Sequence, residues 1–344
     1  MNILITGGAG FIGSHAAEAL LSLGHDVCLF DSFNDYYDVR FKRDNAKQVK
    51  NTAEACGRKA AVAWGDICDA AALKECFALQ AFDAVIHLAA CAGVRPSIEN
   101  APLYADVNVN GTVQVLESMK EYGVKKLLFA SSSSVYGNNE KTPFSETDSV
   151  DNPISPYAAT KKAGELVCCT YSHLYGMSIA ALRFFTVFGP RQRPDLAIYK
   201  FTEKIINGKP LPFYGDGSTG RDYTYIDDIV AGVLAALEWA QAKEALFEVF
   251  NLGNSYPVKL AAMVKALETE IGVEAMIEKL PIPPGDVNLT WADISKSKKV
   301  LGYNPGTSFD SGIKKFVAWY RENRIEKYLD KTHHQSTIRR TQCE

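Results

Sequence analysis

A glycine-rich turn between a short apolar run and a helical pattern constrains this fold more than any other feature. The run NILIT at 2–6 leads into TGGAGFIGS, where Gly7, Gly10 and Gly13 recur at every third position. Glycines in such a turn permit a tight bend and let a diphosphate reach the N–H groups that open the helix. The motif predicts the first β–α unit of a dinucleotide-binding fold, with Phe11 and Ile12 also beside the cofactor.

Strand and helix patterns alternate through the first half of the chain. Strand-like runs end near Thr6, Phe30, Trp64, His87, Ala130 and Phe184, and the strongest helical patterns cover 11–23, 102–122 and 156–175. Strands separated by crossover helices form a parallel sheet that is covered on both faces. We therefore expect an α/β protein with a Rossmann-type doubly wound parallel sheet and a smaller α/β lobe that binds the substrate.

The pattern changes after residue 184, where proline and glycine become frequent. A helix at about 226–241 and a strand at 247–251 are expected to return to the large sheet. The predicted cofactor domain is thus 1–184 plus about 226–251, and the predicted substrate domain is about 185–225 plus 252–325. We expect residues 330–344 to form a flexible tail.

The composition argues against several kinds of partner. The net charge is −3 and the basic residues are dispersed, so we expect no nucleic acid and no membrane surface as partners. No apolar run approaches the roughly 20 residues that span a bilayer, and the chain enters a strand directly, without a signal-peptide pattern. The 8 cysteines lack zinc-site spacing, which predicts no metal and reduced thiols in a cytoplasmic protein.

The second strand pattern ends in Asp31, at the distance from the glycines where an acid binds the ribose 2′-OH. A carboxylate there repels a 2′-phosphate by about 1 kcal/mol in water and about 4 at intermediate dielectric, which favours NAD over NADP. Asp66 follows the third strand and is placed to meet the adenine, although a simple turn role explains it nearly as well. Ile67 and Leu88 are expected to lie at the same edge.

The segment SPYAATK at 155–161 carries the predicted reactive pair. Ser155 is expected to cap a helix that begins at Pro156, so Tyr157 and Lys161 share one helical face. A tyrosine with an ordinary pKa of about 10 is a poor base, but a nearby ammonium and the positive nicotinamide lower that pKa. The phenolate then takes a proton from a substrate hydroxyl while the carbon gives up hydride. For this spacing in isolation, a plain amphipathic helix remains the alternative.

Together these motifs resemble the extended short-chain dehydrogenase/reductases of the nucleotide-sugar epimerase and dehydratase branch, over about residues 1–325. The resemblance implies that Ser132, three residues before the valine of V-Y-G, donates a hydrogen bond to the reacting oxygen. Family members that dehydrate sugars carry an Asp-Glu pair at the positions of Ser133 and Ser134. Members that decarboxylate UDP-glucuronate carry a glutamate at the position of Ser134. Galactose epimerases usually have Ala-Thr at the positions of Ser133 and Ser134, and Asn at the position of Thr186.

The segments 31–38, 94–99, 131–134, 183–195 and 215–223 closely resemble the family of UDP-glucuronate 4-epimerases. Oxidation at C4 of a uronate gives a β-keto acid, which loses CO₂ when its carboxylate bond aligns with the carbonyl. Neutral donors that hold the carboxylate in another orientation prevent this loss. The residues expected in this role are Ser132, Ser133, Ser134 and Thr186. For Ser133 and Ser134 the alternative is that one hydroxyl caps the strand end or bonds its own backbone.

The resemblance also implies sites for the rest of a UDP-uronic acid. Arg221 matches a phosphate- or ribose-binding arginine, and Arg95 or Arg193 is expected to assist it; Arg191 is expected only to hold its loop. The segment 209–214, with Phe213, resembles the strand whose backbone reads uracil, and Asp286 matches an acid that binds the uridine ribose. Pro283 stands where the galactose-type enzymes have a further arginine.

We therefore predict an NAD-dependent isomerase that converts UDP-glucuronate into UDP-galacturonate through a transient 4-keto intermediate. The alternatives left open are a UDP-glucose/UDP-galactose 4-epimerase, a UDP-glucuronate decarboxylase and a non-catalytic NAD-binding module. Family members typically pair as homodimers through the helices that correspond to 102–122 and 156–175.

Overall fold

A computed structural model describes residues 1–281 and 287–326. The predicted tail and Asp286 lie outside these residues. The main sheet has 7 parallel strands. They are β1 (Asn2–Thr6), β2 (Asp26–Asp31), β3 (Ala60–Trp64), β4 (Ala84–His87), β5 (Lys126–Ser132), β6 (Ser178–Phe184) and β10 (Phe247–Leu252). Their order across the sheet, β3-β2-β1-β4-β5-β6-β10, confirms the doubly wound Rossmann-type fold.

Helices cover both faces of this sheet. The first half contributes α1 (Phe11–Ser22), α2 (Val39–Ala55), α3 (Ala70–Leu79), α4 (Val94–Glu99), α5 (Ala101–Ala105), α6 (Gly111–Glu121) and α7 (Pro156–Tyr175). The second half contributes α8 (Ala197–Ile206), α9 (Ile226–Gln241), α10 (Leu260–Ile271), α11 (Ser295–Leu301) and α12 (Phe309–Tyr320). None of the helices among the described residues is long and apolar enough to cross a bilayer.

The two helical layers bury alternate side chains of the strands, as the two-residue period of a strand requires. In β1, Ile3 and Ile5 face the core beneath α1 and α9, whereas Leu4 faces the core beneath α3, α6 and α7. All three side chains are fully buried. The sheet is therefore a rigid middle layer whose strand ends are fixed from both sides.

The remaining strands form two smaller sheets. One contains β7 (Thr186–Phe188), β9 (Gly220–Tyr225) and β11 (Pro257–Lys259); the other contains β8 (Leu211–Tyr214) and β12 (Ile277–Leu280). Strand β7 starts two residues after β6 ends, so the main sheet leads directly into the first of these sheets. Chain segments on both sides of α9 supply their strands.

One predicted helix differs in the structure. The pattern at 102–122 suggested a continuous helix, but α5 and α6 are separated by a π-helical turn, Asp106–Asn110. Within it, the buried Asn108 side chain bonds the backbone N–H and C=O of Cys91 and the hydroxyl of Thr160. The wider turn brings this amide next to Cys91, which follows the carboxyl end of β4. Such π-helical turns are frequent at functional sites.

Candidate active site

Helix α7 begins as its sequence predicts. The Ser155 hydroxyl accepts a hydrogen bond from the N–H of Ala158 at 3.2 Å, and Pro156 occupies the first turn. Tyr157 and Lys161 lie one turn apart, close to the end of β5. The cap fixes where the helix starts and therefore where both side chains lie along the strand.

Lys161 is buried, and its ammonium donates to the carbonyl of Ala130 at 2.8 Å. It also lies 5.4 Å from the ring centre of Phe129 and 6.0 Å from that of Tyr157. Burial lowers the pKa of Lys161 to about 8. Near neutral pH the side chain therefore still carries its proton, but it gives that proton up far more readily than a surface lysine does.

Tyr157 has an environment that differs from the sequence-based expectation. Burial raises the pKa of this tyrosine, and the opposing influences are a hydrogen bond with Ser132 and the positive charge of Arg193. The lowering expected from Lys161 is not among the influences that set the pKa of Tyr157. Arg193 thus acts on the reactive tyrosine, in addition to its expected place near the substrate.

The four serines divide into two groups. The buried Ser131 donates to the carboxylate of Glu165 at 2.6 Å. Ser132 ends β5, and its hydroxyl accepts from the N–H of Ser134 at 3.2 Å and bonds the Ser134 hydroxyl at 3.2 Å. Ser133 opens a short 3₁₀ turn, Ser133–Tyr136, and is half-buried, as is Ser134. The Ser132 hydroxyl therefore caps the 3₁₀ turn that follows β5.

Thr186 opens β7 and is half-buried. Because β6 pairs in register with β5, with Ser132 opposite Phe184, this threonine lies just beyond the strand end that carries the serines. The fold therefore brings two separate stretches of hydroxyl-bearing chain to the same edge.

The glycine turn is packed so closely that a side chain would not fit at two of its positions. A Cβ on Gly13 would lie 2.4 Å from the carbonyl oxygen of Gly7, and one on Gly10 would lie 3.0 Å from the same oxygen. Gly7 also has a φ of +67°, which favours glycine. Phe11 and Ile12 follow in the first turn of α1 and pack against the core. The turn has the close backbone approach that a bound diphosphate needs.

Asp31 lies at the carboxyl end of β2, beside this turn. Its buried carboxylate accepts from the N–H of Ala9 at 3.2 Å and of Phe33 at 2.9 Å. It is also paired with the ammonium of Lys42 at 3.1 Å, and that ammonium reaches Asn34 at the same distance. Sequence reasoning missed Lys42, because a lysine in the first turns of an ordinary helix carries no signal of its own.

The other cofactor-side candidates lie along the same edge. Asp66 accepts from the N–H of Cys68 at 2.9 Å, so it does form a turn. Ile67 is buried against Gly111, and the N–H of Leu88 donates to the carbonyl of Thr6 at 3.0 Å. These contacts fix the backbone after β3 and β4.

The arginines predicted to bind the substrate already have partners. The guanidinium of Arg193 makes a double hydrogen bond with Asp195, at 2.9 and 2.7 Å, and lies over the ring of Tyr36. Arg95 lies 4.9 Å from the ring centre of Tyr214. The ring contacts place both guanidinium groups over aromatic faces, an arrangement that keeps them ordered and charged.

Arg221 lies on β9, where it donates to the carbonyls of Gly220 at 2.8 Å and Asn288 at 3.5 Å. Phe213 is buried on β8, the strand expected to read uracil. Arg191 is bound to Glu18 through both carboxylate oxygens, a contact that holds its loop against α1. Among the described residues, no group of three or more His, Cys, Asp or Glu side chains is arranged to hold a metal ion.

The fold, the glycine turn and the Ser-Tyr-Lys trio define an enzyme of the extended short-chain dehydrogenase/reductase type. A sequence profile of the GDP-mannose 4,6 dehydratase family matches residues 4–316. The chain belongs to this family.

Two named relatives and one solved structure show which enzymes of this family the chain resembles. A UDP-glucuronate 4-epimerase of Thermodesulfobacterium geofontis is 45% identical over 321 residues, which cover 93% of this chain and 96% of that protein. UDP-glucuronate 4-epimerase 4 of Arabidopsis thaliana is 44% identical over 334 residues, covering 93% of this chain and 75% of that protein. The crystal structure of UDP-glucuronic acid 4-epimerase from Bacillus cereus, in complex with UDP-glucuronic acid and NAD, superposes with a TM-score of 0.85 at 36% identity, covering 94% of this chain and 99% of that one.

Proposed function

We propose that this protein is an NAD-dependent isomerase that interconverts UDP-glucuronate and UDP-galacturonate by inversion at C4. The observation that carries this conclusion is the meeting of Tyr157, Lys161 and Ser132 beside an edge of neutral hydroxyls. The family profile carries the name of a dehydratase, but dehydration requires an acid and base pair. This chain has Ser133 and Ser134 at those positions. The named epimerases of similar sequence support the same reaction.

The glycine turn, with Phe11 and Ile12 after it, would hold the diphosphate of NAD, because side chains at these glycines would meet the backbone. Asp31 would accept hydrogen bonds from the adenine ribose, and Asp66, Ile67 and Leu88 would line the adenine side. When bound, NAD supplies the acceptor and later the donor of the C4 hydride. The crystallised Bacillus cereus epimerase contains NAD, which supports this assignment.

Tyr157 would remove the proton of the C4 hydroxyl and return it after the keto sugar has turned over. Ser132 would donate a hydrogen bond to the same oxygen, and the charge of Arg193 would stabilise the phenolate, with Lys161 one helical turn away. Burial raises the pKa of Tyr157, so further positive charge, such as that of the nicotinamide ring, would favour the phenolate.

The uronate carboxylate would be held by the hydroxyls of Ser133 and Thr186, with Ser134 partly engaged by Ser132. Neutral donors hold the carboxylate away from the alignment in which the 4-keto acid loses CO₂. No carboxylic acid stands within the serine run to protonate a leaving group. This chemistry suits a uronic acid better than a neutral sugar.

The UDP end would lie across the smaller sheets. We propose Arg221 and Arg95 as diphosphate ligands, the backbone around Phe213 as the uracil contact and Asp286 as the ribose ligand. We also propose that the segments 185–225 and 252–325 form the substrate-binding lobe.

A homodimer through α6 and α7 is supported by the exposed leucines Leu166 and Leu174 of α7. The free cysteines among the described residues fit a cytoplasmic enzyme.

The test is incubation of the purified protein with UDP-glucuronate and no added NAD. We expect UDP-galacturonate, separated by anion-exchange chromatography. The Tyr157→Phe variant should lose about 10²- to 10⁴-fold of the rate while its NAD content stays unchanged. Tyr171→Phe, on the same helix but bonded to Glu117, serves as the matched control.

Each other outcome has a distinct meaning. Cofactor-loaded protein that forms no UDP-galacturonate would overturn the proposal. Faster conversion of UDP-glucose would indicate a neutral-sugar epimerase, and a UDP-pentose as the main product would indicate a decarboxylase. A loss of NAD in Tyr157→Phe would assign the tyrosine a structural role.

A further inference from the structure

A buried ion pair joins the helix of the reactive pair to two strand ends. The Glu165 carboxylate accepts two hydrogen bonds from the Arg183 guanidinium, both at 2.8 Å, and one from the Ser131 hydroxyl at 2.6 Å. All three side chains are almost fully buried. The guanidinium also donates to the Tyr136 hydroxyl at 3.0 Å, which in turn donates to Asn251 at 2.7 Å. The network thus spans α7, β5, β6, the 3₁₀ turn and β10.

The positions of its members in the chain are informative. Glu165 lies one turn beyond Lys161 and two turns beyond Tyr157, on the same face of α7. Ser131 immediately precedes Ser132, and it pairs in register with Arg183, which stands three residues before Thr186. One carboxylate therefore ties the helix that carries the reactive pair to both strand ends that carry the hydroxyls.

Stability alone does not account for this arrangement. Replacing a buried ion pair with apolar side chains of similar volume is often neutral or stabilising, because both charges lose their hydration. The best-attested use of such pairs is to fix the register of packed elements. A pair that joins these particular elements fixes the distance between the proton acceptor and the hydroxyl cluster.

We propose that Glu165 and Arg183 are positioning residues, which set α7 against the ends of β5 and β6 so that Tyr157 and the hydroxyl cluster act on one sugar. This inference rests on the proposed function and deepens it. A shift of about 1 Å at a reacting centre can cost about 100-fold in rate. It would also free the carboxylate of the 4-keto sugar to rotate.

The pair therefore controls the fate of the intermediate as well as the rate. When the C5–C6 bond aligns with the C4 carbonyl, the bond breaks and CO₂ leaves. The electron pair moves into the carbonyl as an enolate, and C5 later takes a proton from water. A loosened register should thus raise the amount of CO₂ released per UDP-galacturonate formed.

The test replaces both charges, as Glu165→Met with Arg183→Met in one variant. We expect a thermal midpoint close to that of the wild type and unchanged NAD content. The value of kcat should fall about 100-fold with little change in KM, and the CO₂ fraction should rise. The control removes the partly exposed pair of Lys296 and Glu248, which links β10 to α11, by Lys296→Met with Glu248→Met.

Hydrogen exchange provides a readout that does not depend on the substrate. Peptides covering 131–136 and 156–162 should exchange faster in the double variant, while the rest of the main sheet stays protected. Unchanged exchange there, or wild-type kcat and CO₂ fraction in a folded variant, overturns the inference. Wild-type protein that fails to convert UDP-glucuronate overturns the proposed function instead, and the exchange experiment still decides the positioning role.

Discussion

The Lys42→Met substitution is expected to lower the free energy of unfolding of the cofactor-free protein by about 3 kcal/mol. Two unit charges 3.1 Å apart attract by about 5 kcal/mol at an effective dielectric of about 20. Breaking a buried pair from one side typically costs about 3 to 5 kcal/mol, because the remaining charge is uncompensated. Asp31 keeps the N–H donors of Ala9 and Phe33, so we take the lower value.

Thermal unfolding of protein stripped of cofactor measures this loss. At about 2 °C per kcal/mol for a large chain, the midpoint should fall by about 6 °C. Adding Asp31→Asn to Lys42→Met removes the uncompensated charge and should recover part of the loss. The resulting double-mutant cycle should give a coupling energy above about 1.5 kcal/mol.

The matched control is Lys74→Met, which breaks an ion pair with Glu121 at 3.0 Å. The separation is nearly the same, but the control side chains are 55% and 50% exposed, against 9% and 4% for Lys42 and Asp31. Solvent screening limits the control to about 1 kcal/mol or less. If Lys42→Met melts within about 2 °C of the wild type, as the control should, the argument from burial is wrong.

Three further expectations concern the site. Gly13→Ala should abolish NAD retention, measured as nucleotide released on heating, because its Cβ would lie 2.4 Å from Gly7; Gly306→Ala, with no atom within 4 Å, should retain the cofactor. Ser133→Ala should raise the CO₂ released per UDP-galacturonate formed, and an unchanged ratio would remove that hydroxyl from the carboxylate site. The pKa of Lys161 is about 8 in the folded protein and near its usual value of about 10.4 in the unfolded chain. Between these two pH values the unfolded chain binds more protons than the folded protein. Lys161 therefore contributes a free energy of unfolding that increases as the pH rises. Denaturation at pH 7 to 9.5 should show this increment in the wild type and not in Lys161→Met.

The sequence was sufficient where one local pattern determines the structure. The glycine turn, the cap at Ser155 and the strand end at Thr6 depend on residues close together in the chain, and the structure places them as predicted. The strand predicted to end near Ala130 continues to Ser132. The pairing of Glu165 with Arg183 depends on strand register and helix docking instead. Its members look like ordinary polar residues until the fold brings them together.

The pKa of Tyr157 shows a related limit. A tyrosine and a lysine at i and i+4 suggest direct charge stabilisation, but the Lys161 ammonium donates to the carbonyl of Ala130. The charge that acts on the tyrosine comes from Arg193, 36 positions later in the chain. Spacing along one helix does not reveal which distant side chain reaches the same point.

The double hydrogen bond between Arg191 and Glu18 joins the loop after β7 to the helix that opens on the glycine turn. This contact anchors the loop that carries Arg193 to α1 and so holds the charge of Arg193 in position beside Tyr157. The charge that acts on Tyr157 and the glycine turn are therefore connected through one helix, α1.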